Sequence, residues 1–127
     1  MQKQQLSNQK DALIEFYQDI ACCQLAVAHN VDFDRIFIEK ATKEFGVKTK
    51  VKWPSSVDTM KDTAELCSLS PRKNNLEWKW PKLEELAYKL KIKYSDLTLH
   101  DSRSDVELTK RCLKKLCKNK YYVFRYE

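Results

Sequence analysis

Apolar residues recur along this chain at spacings that alternate between the helical and the extended period. Leu13, Phe16, Tyr17 and Ile20 repeat at three and four, so residues 9–23 predict an amphipathic helix. The run Leu25 to Ala28 predicts a short buried strand. A second helix follows, with Phe33, Ile36, Phe37 and Ala41 on its inner face and Gly46 as its stop signal. Lys48 to Lys52 alternates basic and small residues like an extended edge, and Trp53-Pro54 breaks it. Val57-Asp58-Thr59 reads as a strand or its end, with Asp58 or Thr59 capping a helix through about Leu69.

Ser70 to Asn75 is the clearest loop. Pro81 fits the first turn of the next helix, whose inner face is Leu83, Leu86, Ala87 and Leu90. Lys91 to Leu99 reads as a connection. A last helix begins near Asp101, with Val106, Thr109, Leu113 and Leu116 inward, and the tail from Tyr121 to Glu127 alternates like a terminal strand or an interaction segment. Helices and short strands in alternation predict an α/β class, rich in helix with a small sheet.

Composition narrows this picture modestly. One glycine and three prolines in 127 residues argue against an all-β design, and no apolar run approaches the ~18 residues of a membrane span. The polar start, Met1 to Lys10, is not a secretory signal. Cys22, Cys23, Cys67, Cys112 and Cys117 are odd in number and lack C-x-x-C spacing, which favours reduced thiols in a cytoplasmic protein over a zinc site. The net charge of +6 suits a polyanionic partner and equally a solvated basic surface.

Two segments carry candidate chemistry. In Ala28-His29-Asn30-Val31-Asp32-Phe33-Asp34, a strand gives way to a helix, so Asp34 can point off the sheet end and hold a cation. The same letters also describe ordinary helix capping by Asn30 or Asp32. In His100-Asp101-Ser102-Arg103-Ser104-Asp105, residues five apart diverge by about 140° on a helix. With His100 just ahead of the helix, its ring can instead swing over a metal bound by Asp105 and act as a base on metal-bound water. Alone, this segment too reads as a capped helix start.

Taken together, A-H-N-x-x-F-D and, about 65 residues on, H-x-S-x-x-D resemble the second and third motifs of the DEDDh-type 3′–5′ exonucleases. This proofreading family includes the ε subunit of bacterial DNA polymerase III. Val57-Asp58-Thr59-Met60 and Trp80-Pro81-Lys82-Leu83 also resemble family segments, and the resemblance runs from about Ala12 to Lys118. It implies the C-terminal portion of an RNase H-like fold at 12–118, preceded by a polar segment at 1–11 and followed by a tail or strand at 119–127. It further implies metal binding by Asp34 and Asp105, with Mg²⁺ or Mn²⁺ as cofactor and His100 as general base. His29, Asn30 and Phe33 would shape the pocket for a single-stranded 3′ end of DNA or RNA. Ser102 departs from the family's usual alanine.

The family's first motif, D-x-E on an upstream strand, has no counterpart before Ala12, and Asp105-Val106-Glu107 lies within a helix. Four carboxylates balance two divalent ions, whereas Asp34 and Asp105 supply half that charge. The expectation is therefore an incomplete or split enzyme, or an inactive nucleic-acid or protein-binding remnant. The strand at Leu25 to Ala28 would then expose an edge that favours self-association or a covering partner. Lys79, Lys82, Lys110 and Arg111 are candidate strand-tracking cations. Trp53, Trp78 and Trp80 are candidate stacking platforms or loop anchors.

Overall fold

Helix α1 spans Lys3–Ala21 and buries Leu13, Tyr17 and Ile20, three of the four apolar residues that predict it. The fourth, Phe16, is half-buried and meets the rings of Tyr17 and Trp53, each at 5.6 Å between centroids. This computed structural model describes residues 3–70 and 78–124. Most of the loop expected at Ser70 to Asn75 lies outside them. The described chain continues through β1 (Leu25–Ala28), α2 (Val31–Glu44), β2 (Ser55–Asp58), α3 (Thr59–Asp62), α4 (Ala64–Cys67), α5 (Leu83–Lys89) and α6 (Ser102–Lys118). It is helix-rich, with β1 and β2 paired in a two-stranded parallel sheet. Contacts divide the chain into two units, Met1–Val57 and Asp58–Glu127. No described helix is long and apolar enough to cross a membrane.

In the first unit, α2 supplies the crossover that a parallel strand pair requires. It packs on α1 and β1. Thr42 donates its hydroxyl to the Ile38 carbonyl at 2.6 Å, so the 2.7 Å contact with Tyr17 is donated by the tyrosine. The inner face of α2 is not the one expected. Val31 is buried and Ile38, Ala41 and Thr42 are half-buried, whereas Phe33, Ile36 and Phe37 are 65%, 64% and 63% exposed. The helix carries two apolar stripes, and α1 and β1 cover the other one. Lys48 to Lys52 forms no strand; the paired segment starts later, at Ser55.

In the second unit, Leu86, Ala87 and Leu90 of α5 pack with Leu108, Cys112 and Leu116 of α6 and with Cys67. Full burial of each such leucine is worth roughly 1.5–3 kcal/mol. The α6 stripe is rotated from the expected one: Thr109 and Leu113 are half-buried and Val106 is 70% exposed. Cysteine counts as a core residue here, and the row 108–112–116 sets the helix phase. Of the five free cysteines, Cys67 and Cys112 are buried, Cys117 is intermediate, and Cys22 and Cys23 are exposed. The helix expected from Asp58 to Leu69 is two single turns. Asp58 caps the first, accepting from the N–H groups of Met60 (2.9 Å) and Lys61 (3.4 Å). Thr63 then donates its hydroxyl to the Thr59 carbonyl at 2.6 Å and competes with the helical ladder.

Three helices stop by one device. After α2, α5 and α6, a residue with positive φ reverses the chain, and two backbone bonds close over the last turn. The pairs are Gly46→Lys43 and Val47→Thr42, Lys91→Tyr88 and Ile92→Ala87, and Lys120→Cys117 and Tyr121→Leu116, at 2.9–3.2 Å. This is the Schellman pattern. Gly46 has φ +66°, but the other two reversals fall on Lys91 (+59°) and Lys120 (+61°). The second reversal turns the tail back onto its own unit: Tyr121 donates to the Asp62 carbonyl, and Tyr122 to Asp62 Oδ2 at 2.8 Å. The described part of the tail is therefore a folded-back segment and not a strand.

Candidate active site

The first motif segment lies in the first unit, where β1 leads through His29 and Asn30 into α2. Asn30 is the N-cap and holds φ +78°, a left-handed conformation that asparagine tolerates better than most residues. Its side-chain oxygen accepts the Phe33 N–H and its carbonyl the Asp34 N–H, both at 3.4 Å. Of the two capping residues open from sequence, Asn30 does the work. Asp32 and Asp34 lie in the first turn, where carboxylates favour the helix dipole. Asp34 is exposed, His29 is half-buried, and Phe33 is 65% exposed. His29, Asn30, Phe33 and Asp34 thus gather at one helix N-terminus.

The second segment lies in the second unit, at the start of α6. Asp101 is the N-cap and accepts from the Ser104 N–H at 3.3 Å. His100 sits immediately before it with φ +69°. In that conformation its N–H turns inward to Asp105 Oδ1 at 3.3 Å. Asp105 is half-buried and heads the row that continues through Leu108, Cys112 and Leu116, so core packing fixes the turn it stands on. The histidine thus precedes the helix rather than riding on it, and the segment is also the capped helix start that the sequence alone suggests. Ser102 is exposed, so its departure from alanine meets no packing constraint here.

The other candidates are mostly committed to structure. Arg111 grips Asp96 with both terminal nitrogens (2.9 and 2.7 Å), reaches Glu107 at 3.2 Å and donates to the Lys93 carbonyl at 3.1 Å. That fork holds the Asp96 carboxyl down to about 2. Lys79 pairs with Glu85 at 3.0 Å, and Glu85 also accepts the Lys82 N–H at 2.8 Å, which lowers its pKa. Lys82 and Lys110 are exposed. Half-buried Trp80 carries Lys61 over its ring at 5.0 Å, and half-buried Trp53 carries Arg35 at 5.9 Å, as loop anchors would. Trp78 is 40% exposed.

The stretch Tyr88 to Tyr94, a helix end and a connection by periodicity, carries no candidate chemistry in the sequence motifs. It lines an open cleft of about 530 Å³. The signal was present as K-x-K-x-K between two tyrosines.

Among the described residues, no three His, Cys, Asp or Glu side chains cluster as a metal-holding group. At the start of α6 the Asp105 carboxylate is held by the His100 N–H, and carboxylate oxygens are the donor type that hard cations take. Comparison with family models, curated proteins and solved structures returns no match to this chain.

Proposed function

We propose that the chain belongs with the DEDDh-type 3′–5′ exonucleases and carries the part of an RNase H-like domain that holds their second and third motifs. The observation that supports this is the start of α6. His100 takes a left-handed conformation ahead of the N-cap, and its N–H is pinned to the carboxylate of Asp105. A positive φ costs a non-glycine residue of order 1–3 kcal/mol, and here the bond to Asp105 helps to hold it.

In this reading Asp105 and Asp34 would each offer a carboxylate to Mg²⁺ or Mn²⁺. The bound ion supplies Lewis acidity and lowers the pKa of an attacking water. His100 would accept the proton of the water that attacks the 3′-terminal phosphodiester, the bond to the preceding nucleotide's 3′ oxygen breaking to release a nucleoside monophosphate. His29, Asn30 and Phe33 contact the terminal nucleotide of a single-stranded 3′ end. The D-x-E carboxylates that the family needs would have to be supplied by a second chain.

A catalytically inactive nucleic-acid or protein-binding remnant is the second reading. One observation favours it: Asp101 and Asp105 both have backbone-capping duties that account for them without chemistry.

The two readings separate on variants that keep the caps. Asp105→Asn retains an oxygen for the His100 N–H but removes the charge, and His100→Asn removes the imidazole at a position where asparagine tolerates positive φ. The protein is incubated with 5′-labelled single-stranded DNA and Mg²⁺ or Mn²⁺. Laddering that both variants abolish at unchanged melting temperature supports the exonuclease. Binding without laddering, indifferent to both variants and to metal, supports the remnant.

A further inference from the structure

The cleft at the end of α5 is built from Tyr88, Lys89, Lys91, Ile92, Lys93 and Tyr94, and no carboxylate lines it. Its volume of about 530 Å³ falls within the range of small-ligand sites. The three lysines are exposed and make no salt bridge among the described residues. Their convergence has a specific cause. Continued as a helix, Lys89 and Lys91 would point about 200° apart. The left-handed turn at Lys91 instead reverses the chain, and Lys89, Lys91 and Lys93 line one cleft around it. The nearest following carboxylate, Asp96, is neutralised by the two-pronged grip of Arg111, whose third contact, to the Lys93 carbonyl, holds the cleft wall in place. Tyr88 is 85% exposed, so its ring is open to solvent beside the three lysines.

We infer that this cleft binds single-stranded nucleic acid, with Lys89, Lys91 and Lys93 on the phosphates and Tyr88 and Tyr94 as platforms for unstacked bases. Cations alone would serve any polyanion; paired cations and aromatic rings match the chemistry of a strand whose bases are free to stack. An acidic peptide has no use for the rings. The site reads no sequence, because every base offers a π-face. It needs no metal and does not rest on the exonuclease reading, although the chain runs from Tyr94 to His100 in six residues and the same strand could reach both.

The test is fluorescence anisotropy with the full chain, labelled oligothymidine of about 12 nucleotides, and EDTA present throughout, so that hydrolysis plays no part. Lys91→Gly is the decisive variant, since it removes a charge while relieving backbone strain, and loss of binding cannot then be ascribed to unfolding. It should weaken binding and reduce the slope of log K against log salt by about 0.7. Tyr88→Ala should weaken binding about tenfold, with little effect on the salt slope. Lys40→Gln with Lys43→Gln is the charge control in the other unit and should change neither as much. Absence of oligothymidine binding at low salt overturns the proposal, as does a control pair as damaging as the cleft variants. Equal affinity for a poly-glutamate peptide that is insensitive to Tyr88→Ala also overturns it, and would mark the cleft as a general polyanion patch.

Discussion

Lys91 and Lys120 hold the left-handed conformation at which L-residues lose about 1–2 kcal/mol, and neither gains a hydrogen bond that glycine could not make through its own backbone. Lys120→Gly should therefore stabilise the protein by roughly 0.5–1 kcal/mol, the relieved strain partly offset by glycine's greater freedom when unfolded. Urea titration measures it, and a lower midpoint would mean that the lysine side chain contributes something the backbone account misses. Tyr122 offers a pH test. Burial and, after it, the hydrogen bond to Asp62 raise its pKa above the usual value near 10. A raised folded pKa contributes stability that is whole below about pH 10 and is lost as pH rises further. Tyr122→Phe should cost about 1 kcal/mol at neutral pH for the lost hydrogen bond and flatten the decline above pH 10. Melts at pH 8 and near 10.5 check both arms. At this scale the candidate site was legible as residue types and spacing. The left-handed turn at His100 was not, since no glycine marks it and its bond to Asp105 spans a helix start.

Elements were easier to read than their orientation. The Leu25–Ala28 strand, the α1 apolar row and the start of α6 at its Asp101 cap follow directly from periodicity and capping chemistry. Which stripe of a doubly apolar helix faces inward does not, because that depends on what else packs there. In α2 the phenylalanine stripe gave the stronger local signal and is the exposed one. In α6 the expected row left out Leu108 and Cys112, which with Leu116 make the buried one. The contrast makes a prediction. Phe33→Ser, Ile36→Lys and Phe37→Ser should each change stability by no more than about 0.5 kcal/mol, as surface substitutions do. Leu108→Ala, at a position with no exposure, should cost about 2–5 kcal/mol. Thermal melts of the four proteins decide it. Core-sized losses in the α2 variants would show that a segment or partner covers that stripe in solution. The same variants should also reduce any self-association seen by size exclusion, since a row of large apolar groups is what such contact would use.

The two units differ in how much apolar surface they remove from water, and that difference should set the order in which the molecule opens. The first unit buries Leu13, Tyr17, Ile20 and Val31 at 7–8% residual exposure, so none of the four is fully enclosed. The second encloses Leu86, Ala87, Leu108, Cys112 and Leu116 at 0%, adds Cys67 and Leu90, and ties its connection and tail to the helices through Arg111, Tyr121 and Tyr122. Local stability follows buried contacts. Amide exchange should therefore be slowest at Leu108 to Leu116 of α6 and at Leu86 to Leu90, and faster by at least tenfold along α1 and α2, a gap of about 1.4 kcal/mol. Thiol labelling adds a second readout on one sample. Burial pushes the Cys112 thiol up to about 12 and Cys67 upward, so at pH 8 both should resist iodoacetamide while exposed Cys22 and Cys23 react at once. On raising urea, amides of α1 and α2 should lose protection while Cys67 and Cys112 stay unlabelled, and a single coincident transition would show that the units fold as one. If they do open separately, Asp34 and the pair His100–Asp105 stand on parts of unequal stability.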